Sequence, residues 1–358
     1  MASNNDGSQG EKIGWICDYV PEELIMAAGM EPVRLEGQME NVKEADSYLF
    51  SNVCPYVKHI LEAGLNRETE DLAGIIFTNS CDGMRRLHDL WNHYVGSPFM
   101  HMLEIPKHRD EKGLHYFREQ LEHLKRELER FTGKEISSQG LKGAVSLLND
   151  RRGRLMDLFE RQKQEEPPYR GSELLDLCLE ETTRPKEETA RIIQEMGGRP
   201  SNALSTNPRP RPVRILVTGN VLDKPNLFRI IESAGAEVVA FDTCLGLRHY
   251  TDPVETEADP ISSLARRYLL RPPCNRMPGL NEKIERMRQL SRDYTVDGVI
   301  QSRVKFCDYA LLESPVLENF AKNRDLPFLS LENDYLWADE ARMKTRVEAF
   351  LEMIRESD

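Results

Sequence analysis

TEDLAGIIFTNSC, residues 69–81, predicts a buried β-strand, and GMRRLHDLWNHYV, residues 83–95, follows it with the apolar spacing of a helix. A strand that leads into a helix is the repeating unit of parallel sheets. The same alternation extends outward from this stretch. Further strands are predicted at IGWICDY (13–19), PVRLEG (32–37) and FMHMLEIP (99–106), and PEELIMAAGM (21–30) predicts a helix that opens at Pro21.

The middle of the chain changes to a purely helical pattern. From Leu114 onward apolar residues recur at intervals of three and four, which is typical of an amphipathic helix. Ser137 or Ser138 can cap a second helix that runs to about Gln162. Two shorter helices are predicted around ELLDLCLEE (173–181) and from Pro185.

The last part of the chain returns to alternating strands and helices. Strands are predicted at VRILVTG (213–219), AEVVAFDTC (236–244), DGVIQSRVKFC (297–307) and LPFLSLEND (326–334). We therefore expect an α/β fold of two doubly wound (Rossmann- or flavodoxin-like) parallel-sheet domains joined by a helical module. The predicted divisions are an N-terminal α/β domain (1–110), the helical module (111–198), a linker (199–212) and a C-terminal α/β domain (213–358).

Composition narrows the class of protein. The 358 residues carry a net charge of −12, and no run approaches the ~20 apolar residues of a membrane span. The polar start, MASNNDGSQGEK, predicts a short disordered leader without a signal-peptide core, which favours the cytoplasm. The acidic balance argues against nucleic acid as a partner, and PRPRPVR (208–214) is interpreted as part of a solvated linker.

The seven cysteines are the residues with the most chemical content. An odd number excludes a fully paired disulfide set within one chain. Five of them end strand-like runs, namely Cys17, Cys54, Cys81, Cys244 and Cys307. Because the carboxyl ends of parallel strands meet at the ligand-binding edge of a sheet, this placement predicts a soft-metal or iron–sulfur site.

The alternative is that a free cysteine is a small buried hydrophobe. That interpretation is preferred for Cys178, which lies among leucines in a predicted helix, and Cys17 fits either interpretation. Cys244 and Cys274 fall in predicted loops and are candidates for a second or extended metal group.

Other familiar site patterns are incomplete. VTGNVLDKPN (217–226) lacks the second and third glycines of a dinucleotide-binding loop, which argues against a nicotinamide cofactor. No Walker A sequence is present, so nucleotide hydrolysis would come from a partner. Asp82, Asp308 and Glu332 stand near predicted strand ends, but nothing distinguishes them from surface carboxylates. No catalytic acid or base is therefore assigned.

The chain resembles the iron–sulfur subunits of 2-hydroxyacyl-CoA dehydratases and benzoyl-CoA reductases (the D-component type). The matching stretches occur in order along nearly the whole chain: GWICDYVPEELIMAAGMEPVRL, NVCP, NSCDGMRRLHDLW, IIESAGAEVVAFDTCLGLR, ARRYLLRPPC, DGVIQSRVKFCD and KTRVEAFLEMI.

The resemblance implies two α/β domains with a [4Fe-4S] cluster between them, held by Cys54, Cys81 and Cys307, with one iron left open. It also implies an ATP-hydrolysing iron–sulfur partner that delivers a low-potential electron, which the cluster passes to a CoA thioester to give a ketyl radical anion. Such enzymes are anaerobic radical enzymes, usually heterodimers of two related subunits, of which only one need bind substrate.

Two departures from the pattern leave alternatives open. Cys244 and Cys274 lie in stretches that also carry cysteine in a related branch, whose homodimeric proteins hold a double-cubane [8Fe-9S] cluster on six cysteines and reduce small molecules. This chain matches five of those positions, and Cys17 is the one candidate for the sixth. The stretch YALLESPVL (309–317) also differs from the dehydratase subunits. A non-catalytic scaffold subunit is the third hypothesis.

Overall fold

The computed structural model describes residues 11–37, 42–200 and 211–357. Most of the predicted leader and most of the predicted linker, including the start of PRPRPVR, lie outside these ranges. Lys12, the last residue of the predicted leader, instead begins the first strand.

The N-terminal sheet contains four parallel strands in the order β2-β1-β3-β4. They are β1 (Lys12–Trp15), β2 (Glu31–Arg34), β3 (Leu72–Thr78) and β4 (Phe99–Leu103). The helices between them are α1 (Glu22–Ala27), α2 (Pro55–Leu65) and α3 (Asp82–Leu90), which continues as a π-helical turn over Trp91–Val95. The strand order reverses between β1 and β3, and such a reversal opens a crevice at the carboxyl ends of the strands.

The C-terminal sheet repeats this arrangement in the order β6-β5-β7-β8. Its strands are β5 (Val213–Gly219), β6 (Ala236–Asp242), β7 (Gly298–Val304) and β8 (Phe328–Asn333). Its helices are α8 (Asn226–Ser233), α9 (Leu247–Tyr250), α10 (Pro260–Leu270), α11 (Leu280–Asp293), α12 (Asp308–Lys322) and α13 (Glu340–Ser357). The prediction of an α/β fold with two parallel-sheet units is confirmed.

Four helices connect the sheets: α4 (Glu111–Thr132), α5 (Ser138–Arg161), α6 (Gly171–Thr183) and α7 (Lys186–Gly197). Ser137 is the N-cap of α5, and its hydroxyl accepts a hydrogen bond from the amide of Gly140 at 3.0 Å. The apolar stripe of α4 is buried with the first sheet, and α10 packs into the same core through Leu264 and Tyr268. The second sheet packs with α5, α6 and α13.

One expected element is wrong, and one helix was missed beside it. The run SYLFSNVC (47–54), predicted as strand-like, begins at the last residue of a short 3₁₀ turn (Ala45–Ser47) and continues as irregular backbone up to Cys54. Helix α2 begins at Pro55, where proline is well tolerated because the first helical N–H needs no intrahelical partner. The spacing of Val57, Ile60 and Leu61, all buried, was the available signal for this helix.

Candidate metal centre

Three cysteines occupy the same local position, the residue before the first turn of a helix. Cys54 is the N-cap of α2, Cys81 of α3 and Cys307 of α12, and none of the three thiols makes a capping hydrogen bond. Cys81 and Cys307 also follow β3 and β7, as predicted, whereas Cys54 does not follow a strand. A helix N-terminus carries partial positive charge, which stabilises a thiolate. We call Cys54, Cys81 and Cys307 the first triad.

Three further cysteines form a second group with a different setting. Cys17 follows β1, Cys244 follows β6, and Cys274 lies in the loop after α10. The thiol of Cys17 hydrogen-bonds to Thr78 at the end of β3. None of these cysteines caps a helix. We call Cys17, Cys244 and Cys274 the second triad.

The thiol charges that act most strongly on Cys54, Cys17 and Cys244 come from within the same triad. The pKa of Cys54 is raised to about 11, first by burial and then by the charges of the Cys307 and Cys81 thiols. Burial raises the pKa of Cys244 to about 12, and burial also raises that of Cys17; each feels the charge of Cys274. The raised pKa values mean that thiolate formation at Cys17, Cys54 and Cys244 needs a compensating cation or metal.

Arg276 interacts with thiols of both triads. Its pKa lies well above the usual arginine value: burial would lower it, but the thiols of Cys81, Cys307, Cys274 and Cys244 outweigh that effect. Its charge in turn acts on Cys54 and Cys17. Arg276 is 7% exposed, and its Nε has no hydrogen-bond partner among the described residues. Six of the seven cysteines therefore interact electrostatically with one buried guanidinium.

Hydrogen bonds connect the loop of Arg276 to both ends of the site. The side-chain amide nitrogen (Nδ2) of Asn275 donates to the Sγ of Cys307 at 3.6 Å. The Nζ of Lys107 donates to the carbonyl oxygens of Arg276 and Ser80, each at 2.9 Å, so the Cys274 loop is joined to the residue before Cys81. Sequence patterns did not single out these residues, although Arg276 stands two positions after Cys274.

Cys178 is separate from the site. It is 1% exposed in α6 within the core of the second sheet, as predicted, and burial raises its pKa. The acid–base candidates are also outside the site. Asp82 has a side chain that is 78% exposed, Asp308 is exposed, and Glu332 has a 42% exposed side chain.

The donor set fits a polynuclear cluster better than a single metal ion. Within the described ranges, no three histidine, cysteine, aspartate or glutamate side chains are placed to hold one ion together. Buried donors without partners accompany the thiols: Nε of Arg276, Nδ2 of Asn220 and Oγ1 of Thr243. Asn220 lies between the triads, since its Oδ1 accepts from the amide of Val304 and its carbonyl from that of Cys244. Such donors can hydrogen-bond to cluster sulfides.

An ion-pair network lies behind the second triad. Asp18, next to Cys17, hydrogen-bonds to Nδ1 of His249 and forms an ion pair with Arg271 at 2.7 Å. The Nε2 of His249 is 3.7 Å from Glu22, which lies 3.3 Å from the Nζ of Lys186. All five side chains are at most 8% exposed. The network fixes the backbone beside Cys17 against α7, α9 and the end of α10.

Comparison with known proteins agrees with this arrangement. The family model described as 2-hydroxyglutaryl-CoA dehydratase, D-component, matches residues 17–354. The chain belongs to this family. The match to the D-component family includes every strand except β1 and all six cysteines of the two triads, and it confirms the predicted family resemblance.

Individual relatives within the D-component family have low sequence identity to this chain. The chain is 27% identical to a provisionally named dehydratase subunit of Escherichia coli (strain K12), YjiM, over 96% of this chain and 91% of the relative. It is 24% identical to one of the benzoyl-CoA reductase subunits of Thauera aromatica, over 89% and 84%. It is also 24% identical to the (R)-phenyllactyl-CoA dehydratase beta subunit of Clostridium sporogenes, over 96% and 92%. Among the described residues, none of the helices has the length and apolar character to cross a membrane.

Proposed function

We propose that this chain is the iron–sulfur subunit of an ATP-activated radical 2-hydroxyacyl-CoA dehydratase or aryl-CoA reductase. In this role it would accept low-potential electrons from a partner ATPase and pass them to a CoA thioester. The observation that supports this most directly is the convergence of six thiols on Arg276, three of them at helix N-termini. Membership of the dehydratase family supports this reaction class.

The first triad, Cys54, Cys81 and Cys307, would hold a [4Fe-4S] cluster. When bound, the cluster supplies a one-electron carrier, and three protein ligands leave one iron open to another ligand. The chain's own contribution is electrostatic: three helix N-termini and Arg276 offset the charge of the thiolates. Asn275 orients the Cys307 sulfur, and Lys107 holds the loops of Cys81 and Cys274 together.

A double-cubane [8Fe-9S] cluster in a reductase of small molecules is the second candidate. The second triad favours it, because Cys17, Cys244 and Cys274 interact with one another and share Arg276 with the first triad. A second observation in favour of this candidate is a small cavity bordered by Asn275 and Arg248. Its volume is about 30 Å³, which accommodates a molecule the size of water.

Exposed apolar side chains next to the first triad support a partner subunit, either a related chain or a second copy. The outward side of α12 presents Tyr309 (40% exposed), Leu311 (55%), Leu312 (76%) and Val316 (39%), and Phe306 (49%) precedes Cys307. A helix with apolar residues on its outer as well as its inner side normally packs against another element. This surface, which we call the α12 face, would bring a partner close to the cluster.

Iron and sulfide quantification on anaerobically purified protein tests the proposal. One cubane predicts about four irons per chain, and a double cubane about eight. Cys81→Ser should abolish the first triad's cluster under either candidate. Cys274→Ser should leave iron content unchanged if there is one cubane, and lower it if there are two. Cys178→Ser is the matched control, because it alters a buried cysteine outside both triads.

Each outcome separates the candidates. Iron content that survives Cys81→Ser unaltered would refute the ligand assignment. Wild-type protein that binds no iron after anaerobic reconstitution would favour a scaffold subunit without a cluster, and both enzymatic candidates would then be rejected.

A further inference from the structure

The two triads obtain positive charge from different sources. Helices α2, α3 and α12 begin at the cysteines of the first triad and direct their N-termini to it. The second triad has buried arginines instead. Arg248 interacts with the thiols of Cys244 and Cys274, and Arg271 with that of Cys274. The side chains of these arginines are 5% and 0% exposed.

Arg276 differs from these two arginines because it forms no ion pair with a carboxylate of the described residues. Arg248 pairs with Asp242 at 3.2 Å, and Arg271 pairs with Asp18 at 2.7 Å. For Arg276, no carboxylate of the described residues lies within 4.0 Å, although the residue is 7% exposed and its Nε lacks a partner. A buried cation without a counter-ion is strongly unfavourable, so its counter-charge must come from the thiolates and whatever they bind.

Hydrogen bonds hold the backbone on both sides of Arg276, and this limits how far its guanidinium can move from the site. The amide of Met277 donates to the carbonyl oxygen of Cys274 at 3.0 Å and closes a turn over residues 274–277. The carbonyl oxygen of Arg276 accepts from Lys107, and Asn275 donates to Cys307. Because these hydrogen bonds hold the turn in place, the guanidinium of Arg276 could leave the thiols only by rotation of its own side chain.

We propose that Arg276 sets the reduction potential of the metal centre by holding one fixed positive charge between the two triads. This inference rests on the proposed iron–sulfur function. One-electron reduction adds one negative charge to the centre, and a nearby cation stabilises the reduced form more than the oxidised form. The electron comes from the redox partner, and the guanidinium stays protonated throughout, so no proton moves in this step. Arg276 thereby makes the centre easier to reduce.

Redox titration of anaerobically purified variants, followed by electron paramagnetic resonance and by iron content, tests this role. Arg276→Gln should keep its iron. At the wild-type midpoint potential, its ratio of reduced to oxidised centre should be at least tenfold lower than in wild type. A tenfold change corresponds to a midpoint potential lower by 59 mV for a one-electron couple. Arg276→Lys keeps the charge and should remain within threefold of wild type. Arg303→Gln is the control, because Arg303 is near Cys307 in sequence but contacts Ser330 and Glu332.

Every outcome bears on the assignment. If Arg276→Gln holds wild-type iron and titrates at the wild-type potential, the proposal is wrong. If the glutamine variant loses its iron while the lysine variant keeps both its iron and the wild-type potential, a positive charge at position 276 is required and the proposal is upheld. If both variants lose iron, the guanidinium is structural and the proposal fails. If wild-type protein holds no iron, the iron–sulfur function itself is refuted, which is a distinguishable result.

Discussion

Glu22 should make a large, pH-dependent contribution to stability through the network behind the second triad. Its side chain is 4% exposed, 3.3 Å from the Nζ of Lys186 and 3.7 Å from the Nε2 of His249. Burial would raise its pKa, but Lys186, His249 and Arg152 outweigh burial and hold the pKa at about 2, below the ordinary 4.5. The charged form is therefore favoured in the folded protein.

The size of the effect follows from linkage between proton binding and folding. A pKa that falls by about 2.5 pH units on folding corresponds to about 3 kcal/mol of stability. Because the folded pKa is the lower one, this contribution is fully present above about pH 5 and is lost as the pH falls toward 2. At pH 3.5 about 1 kcal/mol of it should already be gone.

Glu22→Gln tests this reasoning, because glutamine keeps the shape and removes the charge. Urea unfolding at pH 7 should show the variant less stable than wild type by about 3 kcal/mol, and the gap should narrow by about 1 kcal/mol at pH 3.5. Glu122→Gln is the control, since its partner Arg118 is 42% exposed and such surface pairs contribute about 0–1 kcal/mol. A gap of the same size at both pH values would show that packing, rather than the carboxylate charge, causes the loss.

Two further predictions concern other parts of the chain. Burial, and then the charge of His123, lowers the pKa of His101 to about 4, below the ordinary 6.5. Wild type should therefore lose about 2 kcal/mol between pH 7 and pH 5 relative to His101→Leu, as measured by urea unfolding of cluster-free protein; parallel pH profiles would contradict this. On the α12 face, Leu312→Asp should weaken subunit association at least tenfold by analytical ultracentrifugation, with little effect on monomer stability. Leu147→Asp, at a residue of α5 that is 44% exposed, is the control, and an equal effect of both changes would remove the argument for the α12 face.

The sheet architecture could be predicted because its signals are local. Most strands of the described structure contain a short apolar run, and helices such as α4 have apolar residues at intervals of three and four. The irregular stretch before Cys54 was mistaken for a strand because aromatic and β-branched residues occur there without packing in a sheet. The short helix α9 was also missed, since four residues give too little periodicity.

The candidate site was predictable in its residue types but not in its grouping. Strand ends and the family resemblance selected Cys54, Cys81 and Cys307, and their role as ligands stays a prediction. The division into two triads depends on contacts between distant segments, such as Cys17 with Cys274, that no spacing rule contains. Arg276 was overlooked for the same reason, because an arginine near a cysteine in sequence is ordinary until both are found buried together.

The charge distribution gives the two triads a common physical basis. The chain as a whole has a net charge of −12, yet the described site contains three buried arginines and three helix N-termini. Exposed acidic groups are screened by salt within roughly 10 Å, whereas buried charges are screened far less. The positive groups around the thiols should therefore dominate the electrostatics of the centre despite the acidic surface. Six thiolates could not be gathered in this interior without such compensation, and both Arg276 and Lys107 interact with thiols of the two triads.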